Sequence, residues 1–168
     1  MAEVDRAKKN NHSVGSWFNY YETSYNEILF NKQDIISTSV YFENYTGGAH
    51  GAHALKNHVV DLNTGNTVTE AMIFVEDYQD ILTQLIIATI AKDKQATDIK
   101  ELENMGYFSI DEVYPNNNFW VNEKGITYTY NEYEIAAYVV GRTHVFIPYS
   151  ELKLILKPES PISALINN

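Results

Sequence analysis

Glu76-Asp-Tyr-Gln-Asp-Ile-Leu-Thr-Gln-Leu-Ile-Ile-Ala-Thr-Ile-Ala-Lys92 is the stretch on which the fold turns. Tyr78, Ile81, Leu82, Leu85, Ile86, Ala88 and Ile90 recur at helical spacing and form a broad apolar stripe, which predicts a helix over about 76–92 lying on a sheet. A shorter helix is predicted over 98–105, with Thr97 as its N-cap and Gly106 as its C-cap.

Everything upstream reads as strand. From Ser16 to Tyr45 the chain is rich in Trp, Phe, Tyr, Ile, Val and Thr, and the polar Asn31-Lys-Gln-Asp34 divides it into a long antiparallel hairpin. In the second arm Ile36, Thr38, Val40, Phe42 and Asn44 share one parity and Ile35, Ser37, Ser39, Tyr41 and Glu43 the other. The first set is the more apolar and is expected to cover the core. A further strand is predicted from Ala52 to Leu62, closed by the turn Asp61-Leu-Asn-Thr-Gly65.

Downstream of Pro115-Asn-Asn-Asn118, residues 119–121 and 126–130 read as strands joined by Asn122-Glu-Lys-Gly125. Another covers 144–147 and stops at Pro148. Tyr149-Ser-Glu151 opens a last helical turn with Leu152, Ile155 and Leu156 on its apolar side, and the tail from Pro158 is expected to fray or dock loosely. Strands, then helices, then strands indicate an α+β fold: a mainly antiparallel sheet packed against one long helix and shorter ones.

With 168 residues and 45% hydrophobic content, the chain has material for one core. It contains no cysteine, which excludes a disulfide framework. No window approaches the roughly 18–20 apolar residues of a membrane span. The start, 1–11, has no apolar core of a signal peptide and is compatible with removal of a signal peptide, anchor or upstream domain. A net charge of −10 repels nucleic acid and favours basic partners, or simply keeps the surface soluble.

Tyr45-Thr-Gly-Gly-Ala-His-Gly51 holds three glycines in five residues, which suits either a recognition loop or a tight bend between strands. It lacks the Lys-Ser/Thr ending and the following helix of a phosphate loop. His50, His53 and His58 invite a metal reading, but on a straight strand His50 and His58 lie roughly 26 Å apart and His53 faces the other way. We therefore assign no metal ligand and no cofactor. Glu132 and Glu134, if extended, share a face about 7 Å apart, the separation of an inverting glycosidase pair, and also suit solvated loop charges. No Gly-x-Ser-x-Gly or Ser-x-x-Lys signature occurs, so no catalytic residue is assigned and the chain is read as a non-enzyme. Its 13 tyrosines suit a recognition surface or a half-buried sheet.

Taken together, Tyr45-Thr-Gly-Gly-Ala-His-Gly51, Asp61-Leu-Asn-Thr-Gly65, Tyr133-Glu-Ile-Ala-Ala-Tyr138 with Gly141, and Ile147-Pro-Tyr-Ser-Glu-Leu152 make the chain resemble a bacterial extracytoplasmic domain family of unknown general function. That family is found in the lysozyme-sensing anti-sigma factor RsiV and at the front of a peptidoglycan deacetylase. The resemblance covers residues 28–156, with 1–27 as the end of a companion domain and 157–168 as a tail. Two departures stand out: Thr69-Glu-Ala-Met-Ile-Phe74 replaces a Leu-x-Asp-Leu-Phe-like step, and Ala137 stands where proline is common.

The resemblance implies an extracytoplasmic domain, in the periplasm, on the cell surface or secreted, whose signal peptide or anchor is missing from this chain. It further implies a non-catalytic binding or sensing role toward a basic protein such as lysozyme or toward a cell-wall glycan. A structural accessory module and a peptidoglycan-active enzyme are the alternatives. The residues expected to touch the ligand are Tyr45, Thr46, Gly47, Gly48, His50, Tyr133, Glu134 and Tyr138.

Overall fold

The structure is a computed structural model that describes residues 2–10, 20–47 and 50–166. Gly48 and the expected beginning of the hairpin at 16–19 lie outside the described residues. After a helix α1 (Ala2–Lys9) come β1 (Tyr21–Lys32), β2 (Ile35–Tyr45), β3 (Ala52–Asp61) and β4 (Asn66–Thr67). Helices α2 (Glu70–Ile73), α3 (Tyr78–Lys94) and α4 (Ile99–Asn104) follow. The chain then forms β5 (Phe119–Val121), β6 (Gly125–Tyr130), β7 (Thr143–Pro148), α5 (Tyr149–Leu152) and α6 (Ser163–Ile166). Two antiparallel sheets result, one ordered β1-β2-β3-β4 and the other β5-β6-β7, so the fold is α+β as expected.

Local chemistry sets the turns. The β1–β2 connection is the two residues Gln33 and Asp34, both at positive φ (53° and 59°), whose twist matches that of a long hairpin. After β3, Asp61 accepts from the Asn63 amide and the Thr64 hydroxyl, and Gly65 at φ 72° completes the turn. α3 begins at Tyr78 rather than 76 because Asp77 is left-handed (φ 59°), and its buried stripe is Tyr78, Leu82, Ile86, Ile87 and Ile90, while Ile81 is exposed. α4 is capped by Asp98, whose carboxylate accepts from the Glu101 amide; Thr97 instead donates its amide and hydroxyl to Glu101 Oε2.

The face of β2 that covers the core is the opposite of the expected one. Ile35, Ser37 and Ser39 are buried, whereas Ile36, Thr38 and Val40 lie on the outer face and are half-buried. The reason is hydrogen bonding. Ser37 Oγ donates to the carbonyl of Val121 (2.8 Å) and accepts from its amide (3.1 Å), closing the free edge of β5 against the first sheet. A bulge between Ile28 and Phe30 carries Phe30 onto this inner face and leaves Ile28 exposed.

The outer edge of β3 is finished by asparagine side chains in place of a strand. Asn131 accepts from the Leu55 amide and donates to its carbonyl. Asn118 accepts from the Asn57 amide and donates to the Leu55 and Thr129 carbonyls. β6 is buried along its whole length, and α3 packs against β7. The described part of the tail, 157–166, is docked and not frayed: Lys157 donates to Ile73, and Ile162 and Leu165 are fully buried. β1 runs unbroken through Glu27 and Ile28.

Candidate functional site

β1, β2 and β3 are longer than the second sheet that covers them. Toward Ile35 their shared inner face is core. Toward Tyr45 the same face is open and aromatic. Strand register stacks three cross-strand rows there: Tyr21 with Tyr45, Thr23 with Glu43 and His53, and Tyr25 with Tyr41. The Tyr21 and Tyr45 rings are stacked at 6.2 Å between centroids, and those of Tyr25 and Tyr41 lie 4.9 Å apart. Glu43 stands between the pairs, accepting the Tyr21 hydroxyl on Oε1 (2.6 Å) and the Tyr41 hydroxyl on Oε2 (3.0 Å). Those two donors, the Tyr21 hydroxyl first, hold its carboxyl below the usual range, so it is an anion at neutral pH, and the hydroxyls themselves are pushed up.

The loop between β6 and β7 extends this face. Tyr138 stacks on His50 (5.2 Å) and lies beside His53 (6.1 Å) and Tyr133 (5.6 Å), while Tyr41 stacks on His53 (6.4 Å). Tyr133 is 61% exposed and is held at φ 66°, a strained angle for a bulky residue. Beneath the rings, Arg142 lies over the Tyr41 ring at 5.7 Å, donates to His53 Nδ1 (3.4 Å) and donates through Nε to Asn131 (3.3 Å). His53 Nε2 lies 3.5 Å from the Tyr138 hydroxyl oxygen. Glu132 Oε2 sits buried 3.3 Å from the same Nδ1 and accepts no hydrogen bond.

Of the residues expected to touch a ligand, His50, Tyr133 and Tyr138 come together, and Tyr45 joins the neighbouring tyrosine rows. Thr46 is exposed in the β2–β3 connection, and Gly47 is in the left-handed region at φ 98°. Glu134 turns away, accepting from Asn116 (3.0 Å) and Asn131 (3.2 Å). Glu132 and Glu134 are not extended: a turn at Tyr133 sends one toward His53 and the other toward the asparagines. Gly51 answers to packing, because a Cβ there would stand 2.7 Å from the Asn44 carbonyl oxygen.

Sequence reasoning passed over Tyr21, Tyr25, Tyr41, Glu43 and Arg142 as site residues, and weighed His53 only as a metal ligand and Glu132 only as half of a carboxylate pair. The shared parity of Tyr21 with Tyr25, and of Tyr41 with Glu43 and Tyr45, was the signal available for five of the residues on this face. Among the described residues no group of three His, Cys, Asp or Glu side chains is arranged to hold a metal ion, and no helix is long and apolar enough to cross a membrane.

A cavity of about 440 Å³ opens elsewhere, along β3 beside Thr67, Ala71 and Asn117. Near it lies the buried Glu70, which accepts from the Tyr78 hydroxyl (2.8 Å) and from the amide of Asn117 (2.7 Å), while Asn117 Oδ1 accepts from the Glu70 amide. Burial pushes the Glu70 carboxyl up, against the opposing pull of these donors. This reciprocal clasp ties α2 to the loop before β5 and reads as structural.

The profile of a family described as a protein of unknown function, DUF3298, matches residues 71–150. The chain is similar to the crystal structure of a DUF3298 member from Bacteroides fragilis, with a TM-score of 0.91 at 30% identity, covering 99% of this chain and 65% of that one. This chain therefore spans about two thirds of the length of that relative. A DUF3298 protein from Pseudomonas aeruginosa PAO1 shares the fold, with a TM-score of 0.70 at 16% identity, covering 94% of this chain and 70% of that one. No curated protein matches the chain.

Proposed function

Because this chain belongs to the DUF3298 family of proteins of unknown function, we propose that it is a non-catalytic binding or sensing domain of the bacterial cell envelope that captures a basic protein on its aromatic face. The observation that carries the reading is the exposed continuation of a core-forming sheet face as rows of tyrosine and histidine around the anionic Glu43. Tyrosine presents large rigid area with a polar tip, the composition of interaction hot spots. A net charge of −10 steers a cationic partner toward it, and a lysozyme is the partner the motif resemblance suggests. The envelope location likewise rests on that resemblance.

Binding is favoured over catalysis because Glu43 is held by two tyrosine hydroxyls and His53 contacts Arg142 and Tyr138. Calorimetric titration with a lysozyme tests the proposal. We expect heat at low salt and weaker binding at physiological salt. Tyr138→Ala is expected to weaken binding about tenfold while the melting temperature stays within a few degrees, as for a hot-spot ring. No heat with tens of micromolar protein sinks the lysozyme reading, and binding of peptidoglycan fragments instead redirects it to a cell-wall glycan.

A second reading, a structural accessory module, is favoured by one observation: Ile135 and Ala136, in the middle of the Tyr133–Tyr138 motif, are buried. Under it, His50→Ala and Tyr138→Ala lower stability and change no ligand affinity.

A further inference from the structure

The geometry around Glu43 points to a subsite of its own: we infer that Tyr21, Tyr25, Tyr41 and Tyr45, arranged about the Glu43 carboxylate, form a box that takes a guanidinium or ammonium group from an arginine or lysine side chain. It rests on the capture reading above and names the chemical group that the face recognises.

Three features of the rows carry it. First, the carboxylate lies between two tyrosine pairs on adjacent strands, so a cation approaching Glu43 meets ring faces or edges on both sides along the strand axis. Cations are stabilised over aromatic faces, and Arg142 already uses Tyr41 in this way within the chain. Second, the position across from Glu43 on β1 is the short Thr23, which is exposed, so the carboxylate is not overhung from that side. A long side chain there would close the box.

Third, the partners that hold Glu43 are neutral. Among the described residues the one ion pair of a lysine or arginine with a carboxylate is Lys32–Glu123, and neither it nor the His53–Glu132 contact involves Glu43. Each carboxylate oxygen accepts one tyrosine hydroxyl and retains capacity for a second donor, which a guanidinium fork or an ammonium supplies. The hydroxyls fix the carboxylate's rotamer in advance, so the incoming cation does not have to order it.

The test is an NMR titration of the purified chain with N-acetyl-arginine amide and, separately, N-acetyl-lysine amide, with N-acetyl-glutamine amide as the uncharged control. Saturable shifts of the Tyr21, Tyr25 and Tyr41 ring signals with either cationic compound, absent with glutamine, are expected. Glu43→Gln, which keeps shape and loses charge, should weaken this about tenfold or more, as loss of a charge-assisted contact does. Thr23→Lys seats a tethered ammonium opposite Glu43 and should block the added cation even if Glu43→Gln proves unstable. Shifts that survive both substitutions, or no saturable shift with either cation, overturn the inference. A basic protein that binds wild type and Glu43→Gln alike removes the subsite but leaves the capture reading standing. Saturable binding of the amino-acid amides without capture of any basic protein removes the capture reading and leaves the box.

Discussion

Gly51 shows how a residue that looks functional answers to packing. It ends the β2–β3 connection, and the space its side chain would need belongs to the Asn44 carbonyl oxygen, 2.7 Å from an ideal Cβ. That neighbour is strand backbone and has little room to yield. Gly51→Ala should destabilise by about 1–3 kcal/mol, the usual range for overpacking, read as a lowered midpoint in urea unfolding with the slope unchanged. Tyr133 is the complementary case: its ring is exposed and its backbone is strained, an arrangement that packing around Ile135 and Ala136 imposes on the turn. The sequence made Gly51 conspicuous by composition, whereas nothing in the spelling of Tyr133-Glu-Ile-Ala-Ala-Tyr138 announces a left-handed first residue.

At the scale of elements, the join between the sheets is polar. Ser37 satisfies both backbone groups of Val121, Asn118 and Asn131 satisfy Leu55 and Asn57, and Asn57 Nδ2 donates to Thr129. Small hydroxyl and amide side chains allow one sheet to meet the edge of the other while leaving those backbone groups paired, which large apolar residues at the same positions would not. Ser37→Ala would strand the amide and carbonyl of Val121 in the core. The expected loss is about 2 kcal/mol or more, in line with two buried unsatisfied groups, measured by chemical denaturation. Amide exchange should be faster at Val121 than in wild type, because the clamp that closes the β5 edge is gone.

Over the whole molecule, charge and pH act together. The chain carries 22 acidic and 12 basic residues, so acidification relieves self-repulsion in any variant. Glu70 adds a specific component. Its folded pKa is raised above the ordinary glutamate value, chiefly by burial, so the fold favours its protonated form. That contribution is fully present below the unfolded pKa of 4.5 and is lost as pH rises through the raised folded value. Wild type should therefore gain more stability as pH falls from 7 toward 4.5 than Glu70→Gln, which has no proton to take up there. The difference between the two melting-temperature profiles isolates Glu70 from the general charge effect, and identical profiles would remove the assignment.

The sequence by itself determined the local pieces of this protein and their class. Alternation and turn residues specified the β1–β2 hairpin and the Asp61–Gly65 turn, helical spacing specified α3, and their order specified α+β, because each of these depends on interactions within a few residues. Tertiary structure decided which side of the hairpin is buried and where the aromatic face lies. Period-two parity says which residues share a face, not which face another element will cover. Ser37 could go inside only because β5 brings both of its hydrogen-bond partners. For the same reason His53 and Arg142, 89 positions apart, meet under Tyr138: the second sheet ends short of the first, and the uncovered length of β1–β3 is where its loops come to rest.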